Sequence, residues 1–266
     1  MDDTLGLPEQ KLLRVLRMLE YVASASEPVT IGQMAMRLDI PKASAARLAD
    51  VLVTNRFLSR MPDDRGLIPG PRSTQLSTSA LSNGAFRRLA RAVLRGLVDR
   101  LGETCNLSAF DGDRVLYLDR VETNEPLRMH LELGSRHPLH CTAGGKLFLS
   151  QLPRLEREAL LDRIVLTRMT PRTIVTRATL ATELDSLAKQ GIGTDEEEFV
   201  TGMVGVAVPI ALPGQRVSVA LVCHAAAARS TLTQLRTQLP MLQDAARRLH
   251  PLFYVNEAAP ASHPHG

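Results

Sequence analysis

The stretch TIGQMAMRLDIPKASAARLADVL, residues 30–52, decides the fold of the first part of this chain. Its apolar residues recur at i, i+3, i+4 and i+7 in two successive runs, which is the spacing of one buried face on each of two short helices. Thr30 and Gln33 fit a capping box at the first helix, and Pro41 suits the start of the second, where no amide hydrogen is lost. Since only Asp39 and Ile40 remain for the turn, the pattern predicts a helix-turn-helix.

The outer face of the second predicted helix is polar and basic. It carries Lys42, Ser44 and Arg47, whose hydroxyl and basic groups can reach phosphates and base edges in a major groove. Arg60 and Arg65 follow the helix and are expected near the DNA backbone or the minor groove. The predicted DNA contacts are Thr30, Lys42, Ser44, Ala45, Arg47, Arg60 and Arg65. A winged helix that binds protein instead is the alternative that the pattern leaves open.

The sequence on either side of this pair favours a winged DNA-binding unit over two helices of an ordinary bundle. Upstream, a third apolar stripe predicts a helix that covers the pair, with the members Leu12, Leu16, Leu19 and Ala23. Downstream, residues 57–61 and 67–69 have the composition of two short strands around a turn-rich tip. This is the pattern of a wing, so residues 1–72 are predicted to form a winged helix-turn-helix.

Length and composition leave room for a second domain. The 266 residues are 44% hydrophobic but contain no Trp, so most of the core must be aliphatic. The net charge of +4 suits a nucleic-acid partner only weakly. Cys105, Cys141 and Cys223 form no CxxC pair, which indicates a reducing compartment rather than disulfides or structural zinc. With no signal peptide and no apolar run long enough for a bilayer, we expect a cytoplasmic protein without membrane contact.

Residues 73–102 are predicted to link the two domains through helices. The Ser/Thr-rich stretch 73–82 permits a helix that breaks near Asn83 and Gly84. A long helix then ends at Gly102, a typical C-cap glycine. Its apolar stripe consists of Phe86, Leu89, Ala90, Val93, Leu97 and Leu101. We expect this stripe to bury against a partner or against the second domain, and we interpret the arginine-rich opposite side as a solvated face.

From residue 103 the pattern changes to strands, turns and grouped helices. Asp111 and Gly112 between two β-rich runs are a strong hairpin signal. The predicted strands are 104–110, 114–121, 127–133, 203–210 and 217–223, and the predicted helices are 143–151, 155–164, 179–189 and 232–253. Hairpins with helices between them indicate an α+β domain on an antiparallel sheet, residues 103–255. A disordered tail is predicted at 256–266.

Three segments resemble the IclR family of bacterial transcriptional regulators, and their order and spacing make the resemblance specific. They are IPKASAARL (40–48), LHCTAGGK (139–146) and GIGTDEEEFVTG (191–202) with the following VAVPI (206–210). The resemblance implies an N-terminal winged helix-turn-helix, a linker helix used in dimerisation and a C-terminal GAF-like domain that binds an effector. It also implies homodimers, which often pair into dimers of dimers, on palindromic operator DNA.

The same resemblance implies an effector pocket in the C-terminal domain. Residues 143–144 border it, and amides at such a helix start attract carboxylates, while Asp195 faces it. Gly205 stands where relatives commonly have Cys, and Leu221 and Cys223 align with hydroxyl-bearing positions, with a register one residue away left open. These departures predict a roomier, more apolar pocket for an aromatic or larger acid. The implied effector contacts are Leu139, Thr142, Ala143, Gly144, Asp195, Gly205, Val206, Leu221 and Cys223.

Other chemistry finds little support in the sequence. The run that ends at Lys146 lacks the first glycine and the Ser/Thr of a phosphate-binding loop, and no GxSxG, HExxH or complete GxGxxG motif occurs. The Cys and His residues considered for a metal have no ligand spacing; they are His137, His140, Cys141, Cys223 and His224. We therefore predict no catalytic residue, no metal and no cofactor, but a DNA-binding regulator controlled by a small organic acid. A metal- or redox-responsive regulator, or an enzyme that uses the C-terminal domain, is the alternative.

Overall fold

The computed structural model describes residues 7–25, 27–62 and 65–254, and the tail predicted at 256–266 lies outside them. The described residues form two compact units that divide between Asn83 and Gly84. The first unit contains α1 (Leu7–Ser24), α2 (Ile31–Leu38), α3 (Lys42–Thr54), β1 (Leu58–Arg60), β2 (Leu67–Pro69) and α4 (Pro71–Leu81). This order confirms the predicted helix-turn-helix and its two antiparallel wing strands.

The helix-turn-helix forms where the sequence predicts it. Thr30 and Gln33 make the capping box at the start of α2, with Oγ1 of Thr30 accepting from the Gln33 amide at 3.3 Å. Asp39 ends this helix in the left-handed conformation, with φ 50°, which short polar side chains tolerate best after glycine. Pro41 is the N-cap of α3 rather than its first residue. The turn between the two helices is therefore residues 39–41.

The apolar face of α1 differs from the predicted one. Met18 and Val22 are buried and Leu19 packs partly against the same core. Three of the four residues in the predicted stripe are exposed, namely Leu12, Leu16 and Ala23. The helix has apolar residues on more than one side, and periodicity alone does not decide which side meets the core.

The second unit is built on one six-stranded antiparallel sheet. Its elements are α5 (Gly84–Leu101), β3 (Thr104–Asp111), β4 (Arg114–Val121), β5 (Arg136–Pro138), α6 (Ala143–Gln151), α7 (Arg154–Arg163), α8 (Arg177–Gln190), β6 (Gly193–Glu196), β7 (Met203–Pro209), β8 (Val219–Ala226), α9 (Leu232–Thr237) and α10 (Leu239–Phe253). The strand order is β5-β4-β3-β8-β7-β6. This arrangement confirms the predicted α+β class and the hairpin at Asp111 and Gly112.

Three elements of this unit differ from the predictions. Residues 127–133 form no strand, because the carbonyl oxygens of Met129 and Leu131 accept from the Arg120 guanidinium instead of from a neighbouring strand. The long C-terminal helix is divided into α9 and α10, since Pro240 has no amide hydrogen with which to continue the hydrogen bonds of α9. β6 is absent from the prediction because acidic residues are uncommon in strands.

Each face of the sheet carries its own hydrophobic core. One core lies under α5, α9 and α10 and contains Leu97 and Leu242, and the other lies under α6 and α8 and contains Leu147 and Leu184. Side chains alternate between the two faces along each strand, so neighbouring residues belong to different cores. Among the described residues, no helix is long and apolar enough to cross a membrane.

α5 packs on the sheet by a face that matches the predicted stripe only in part. Ala90 and Leu97 are buried as predicted and Val93 packs partly against the same core, but Leu89 is 59% exposed. Leu94, which the stripe omits, is fully buried. Gly102 follows the helix with a positive φ of 71°, as the C-cap prediction requires.

The arginine-rich side of α5 is not wholly solvated. The Nε groups of Arg87 and Arg91 donate to the carboxylate of Asp119 on β4 at 3.3 and 2.9 Å. Asp119 is buried, whereas both arginines keep a substantial exposed fraction. The interpretation of this side as a solvated face is therefore wrong for these two residues, because a buried carboxylate needs a cationic partner.

Candidate functional site

The outward face of α3 presents most of the groups predicted to contact DNA. Lys42 and Arg47 are exposed and Ser44 is half-buried. Nε of Arg47 donates to the Ala43 carbonyl oxygen at 3.3 Å. Ala45 is wrong as a contact: its side chain is fully buried, because its spacing of four residues from Ala49 places it on the apolar side of the helix.

The remaining predicted DNA contacts lie at the start of α2 and in the wing. The Thr30 hydroxyl is engaged in the cap of α2. Arg60 on β1 pairs with Asp50 of α3 at 2.6 Å. Both partners of this pair are exposed, so it contributes little to stability and can open for a phosphate. Arg65 is exposed beside the wing tip.

Asp195 of β6 is a buried acid on the α6 side of the sheet. Its Oδ1 accepts hydrogen bonds from the amides of Glu198 and Phe199 at 2.8 and 3.3 Å. Burial nevertheless raises the pKa of Asp195 to about 7, since desolvation outweighs these two bonds and the attraction of nearby Lys146. The carboxyl group therefore divides between neutral and ionised forms near physiological pH.

The start of α6 packs directly on the same face. Leu139 and Ala143 are buried in the core beneath this helix. Thr142 is the N-cap, with Oγ1 accepting from the Gly145 amide at 3.2 Å. A Cβ added at Gly144 would stand 3.5 Å from Val222 of β8, an ordinary contact distance. The close approach instead depends on Gly193 of β6, where an added Cβ would stand 2.0 Å from the Ala143 carbonyl oxygen.

Three of the predicted effector contacts face away from this place. Val206, Leu221 and Cys223 belong to the core under α5 and α10. Val222 belongs to the other core, and His224 pairs with Gly205, which in turn pairs with Asp195. The predicted alignment is therefore off by one residue, and a shift of one residue turns every side chain of a strand to the opposite face.

The space beside Gly205 is already occupied. A Cβ on Gly205 would lie 2.9 Å from Nδ1 of His224, the residue opposite it on β8. The glycine therefore makes room for an imidazole ring. The prediction of a roomier, more apolar pocket at this position is wrong, because a polar ring fills the volume that the missing side chain leaves.

Lys146 forms buried ion pairs, a structural role that the sequence analysis did not identify. Its side chain is fully buried, and Nζ donates to Oε1 of Glu198 and to Oε1 of Glu183, the latter at 3.1 Å. These ion pairs connect α6 to α8 and to the loop after β6. Burying such charges is tolerated only when they are paired, so the GGK run serves packing rather than phosphate binding.

A small cavity of about 10 Å³, which is room for roughly one water molecule, lies on the same face of the sheet, over β3, β4 and β8. Asn106, Tyr117, Arg120 and His224 line it, and residues 128–131 contribute to its wall. None of the predicted effector contacts lines this cavity; His224 stands between it and Gly205. Polar residues that alternate along a strand resemble a solvated face, which is why the sequence pattern does not reveal them.

The Cys and His residues do not assemble into one site. Cys223 and His224 face opposite sides of the sheet, Nε2 of His140 lies 2.9 Å from the Thr167 carbonyl oxygen, and the His137 ring packs on Tyr117. Within the described parts of the chain, no group of three His, Cys, Asp or Glu side chains is placed to hold a metal ion. Burial raises the pKa of the Cys141 thiol to about 12, which makes a thiolate at this position unfavourable.

Comparison with known proteins finds relatives along most of the chain. The family described as the IclR helix-turn-helix domain matches residues 11–62, and the bacterial transcriptional regulator IclR C-terminal family matches residues 78–250. The transcriptional regulator SauR of Cupriavidus necator is 36% identical over 241 residues, which cover 91% of this chain and 96% of SauR.

Solved structures show the same fold. The crystal structure of Thermotoga maritima IclR has a TM-score of 0.61 at 26% identity and covers 92% of this chain and 100% of its own. An IclR homologue from Microbacterium hydrocarbonoxydans, solved in complex with 4-hydroxybenzoate, has a TM-score of 0.57 at 24% identity and covers 91% of this chain and 98% of its own. At that identity the second likeness concerns the fold.

Proposed function

The chain belongs to the IclR family of DNA-binding bacterial transcriptional regulators, and on that basis we propose that it binds palindromic operator DNA as a homodimer under the control of a small organic acid. The observation that carries the proposal is the outward face of α3, where Lys42 and Arg47 are exposed. We assign DNA binding to residues 1–72, linkage to 73–102 and effector sensing to 103–255.

The proposed DNA contacts follow from the positions of the side chains on α3. Ser44 and Arg47 are assigned to base edges and Lys42 to a phosphate, because the first turns of a recognition helix are the part that enters the major groove. Arg60 and Arg65 are assigned to the backbone or minor groove beside the wing. Two copies related by a two-fold axis would read half-sites about 34 Å apart, so a small rotation of one copy changes operator affinity.

The effector is placed on the α6 side of the sensor sheet. This face holds the buried carboxyl group of Asp195, the start of α6 at Thr142 and Gly144, and the polar cavity next to His224. Buried polar groups that converge beside a cavity are the usual make-up of a small-molecule site. Binding here is proposed to change operator affinity without contact between effector and DNA.

Fluorescence anisotropy with the DNA that flanks the gene for this chain tests the DNA-binding half of the proposal. Wild-type chain should prefer this DNA to a scrambled sequence. Ser44→Ala and Arg47→Ala should each weaken binding by about 1–3 kcal/mol, and Lys42→Ala should mainly reduce the dependence of affinity on salt, by about one unit of slope.

Lys189→Ala is the matched control, because it removes the same charge from an exposed position on α8 in the other unit. Its operator affinity should equal that of the wild type. Unchanged operator affinity in all three α3 variants would contradict the assignment of this helix to the major groove.

A further inference from the structure

α3 carries a single acidic residue, Asp50, on its exposed face. The Asp50 side chain is 62% exposed. Asp50 follows Arg47 by three residues, and side chains at this spacing are neighbours on one face of a helix. Asp50 therefore stands on the face that is assigned above to the major groove, although the sequence analysis did not name it as a DNA contact.

The exposed face of α3 extends from its first turn to its third. Ala43, Arg47, Asp50 and Val51 are all exposed, and their spacing of three or four residues places them in one row along the helix. Neighbouring side chains of such a row are about 5–6 Å apart, whereas successive base pairs are about 3.4 Å apart. A helix that lies in the major groove along this row can therefore bring Arg47 and Asp50 to nearby base pairs of one half-site.

In the chain without DNA, Asp50 is held by the wing. Nη2 of Arg60 on β1 donates to Oδ1 of Asp50 at 2.6 Å. The Arg60 side chain is itself 46% exposed, and an ion pair between two exposed side chains is easily opened. When a phosphate takes the Arg60 guanidinium, the Asp50 carboxylate loses this partner and needs another hydrogen-bond donor.

A carboxylate in the major groove discriminates between bases because it accepts hydrogen bonds and donates none. Thymine presents O4 in this groove and guanine presents O6 and N7, which are acceptors that repel a carboxylate. Adenine has an amino group, but the acceptor N7 lies beside it. Cytosine presents the amino group at N4 without an acceptor, so cytosine is the base that best fits an aspartate.

We propose that Asp50 is a specificity-determining residue: on operator DNA, Arg60 moves to a phosphate and the Asp50 carboxylate accepts a hydrogen bond from N4 of a cytosine in each half-site. This inference rests on the proposed function, since it names one base that the DNA-binding unit recognises. It adds a contact on the third turn of α3 to those proposed for the first two turns.

The ion pair makes the phosphate contact and the base contact depend on each other. On DNA without the cytosine, a closed pair forfeits the phosphate contact of Arg60. An open pair instead leaves the Asp50 carboxylate facing groove acceptors and phosphates of its own sign. Only a C·G pair at this position compensates both partners, so the pair weakens binding to other sequences.

Selection of bound sequences from a random pool of duplex DNA by the full chain tests the proposal. We expect the wild-type chain to select a consensus with a C·G pair in each half-site that Asp50→Ala leaves unspecified. Asp50→Asn should change this pair to A·T, because an asparagine side chain bonds to N6 and N7 of adenine. The remaining positions of the consensus should be the same for all three chains.

Fluorescence anisotropy with the selected duplex measures the size of the effect. Replacing the C·G pair by T·A should weaken binding of the wild-type chain by at least about fivefold, and binding of Asp50→Ala by less than about twofold. Arg60→Ala separates base reading from the positioning of Arg60. It should weaken binding to all sequences alike and lower the salt slope by about one unit, with the C·G preference retained.

Asp185→Asn is the matched control. Asp185 of α8, in the other unit, is 60% exposed and pairs with Arg157 at 2.6 Å, so this variant removes the same charge from a similar ion pair. Its consensus should equal that of the wild type.

The outcomes separate this inference from the proposed function. An Asp50→Ala consensus that equals the wild-type consensus overturns this inference and leaves operator binding in place. A C·G preference that disappears equally in Arg60→Ala assigns the base contact to Arg60 and also overturns it. If the wild-type chain selects no consensus, the proposed function is wrong, and this inference is wrong with it.

Discussion

The carboxyl group of Asp195 makes the stability of the chain depend on pH. Its pKa of about 7 in the folded chain lies above the ordinary value of about 4. Between these values the folded chain keeps a proton that the unfolded chain has lost, so this residue lowers the free energy of unfolding as the pH rises from about 4 to about 7. We expect Asp195→Asn to be about 1–3 kcal/mol more stable than the wild type at pH 8, with no gain at pH 4, by denaturant unfolding.

Asp113 provides the control for this measurement. It is an exposed acid in the turn between β3 and β4, so Asp113→Asn should change the free energy of unfolding equally at both pH values. An Asp195→Asn chain that is less stable than the wild type at pH 8 would show that the ionised carboxylate is required by its two amide partners, and the expectation would be wrong.

Gly205 and His224 form a pair in which one residue depends on the other. Gly205→Ala places a Cβ 2.9 Å from Nδ1 of His224, and the buried ring has little room to move. We expect a loss of about 1–3 kcal/mol in the free energy of unfolding, the usual cost of overpacking a core. Chemical denaturation of the single and double variants measures it.

A second substitution distinguishes this clash from a general effect of alanine. In the background His224→Ser the ring is absent, so adding Gly205→Ala should cost much less, and the difference is the interaction energy of the pair. Gly96→Ala is the control, since a Cβ at Gly96 on α5 meets nothing within 4 Å and alanine favours a helix. Equal losses in both backgrounds would argue against the clash.

The side chains of β8 that face α6 are the part of the proposed effector site that the sequence does not specify. Leu221 and Cys223 were separated from the true set, Val222 and His224, by one position, and the alternating pattern of a strand buried on both faces gives no marker of which side is which. Asp195 and the start of α6 lie on the same face of the sheet; family motifs mark them directly in the sequence, and their contact with an effector stays a prediction.

At the scale of elements, the sequence predicted helix caps and turns. It did not predict where backbone carbonyl oxygens bond to a side chain instead of to a neighbouring strand. The capping box at Thr30, the turn at Asp111 and the glycine after α5 each have local sequence signals that act over a few residues. Residues 127–133 carry a strand-like pattern, but their carbonyl oxygens bond to Arg120, a partner on another element. No local pattern contains that information.

The exposed side of α5 is the element on which the proposed dimer can be tested. Leu89 is 59% exposed on this helix, whereas Val93 packs partly in the core of its own chain. A substitution at Val93 would therefore disturb folding as well as association. We expect Leu89→Asp to keep the wild-type unfolding midpoint but to weaken self-association at least tenfold, measured by sedimentation equilibrium.

Leu155→Asp is the matched control for this experiment. Leu155 is a more exposed leucine on α7, and the same change of charge there should leave association unchanged. A monomeric wild-type chain with full operator affinity would refute the two-fold arrangement, and a Leu89→Asp chain with wild-type association would place the dimer contact on another surface.

At the scale of the whole molecule, Asp119 is the residue that ties β4 of the sensor sheet to α5 through Arg87 and Arg91. We expect Asp119→Asn to bind the organic-acid effector and operator DNA as the wild type does but to lose at least half of the change in operator affinity that the effector causes, because Arg87 and Arg91 no longer hold β4. Anisotropy titrations with and without ligand measure this change. Asp185→Asn, which breaks the ion pair between Arg157 of α7 and Asp185 of α8, should retain the full response.

The alternation of side chains on β4 links the two faces of the sheet through two consecutive residues. Asp119 faces α5 and Arg120 faces the cavity, and the Arg120 amide donates to Oδ1 of Asp119 at 2.9 Å. Consecutive Cα atoms stay about 3.8 Å apart, so a pull on one side chain tilts the peptide that carries the other. Any shift of Arg120, whose guanidinium is held by the carbonyl oxygens of Met129 and Leu131, would therefore be passed to two arginines of the helix on the far side of the sheet, with no hinge between them.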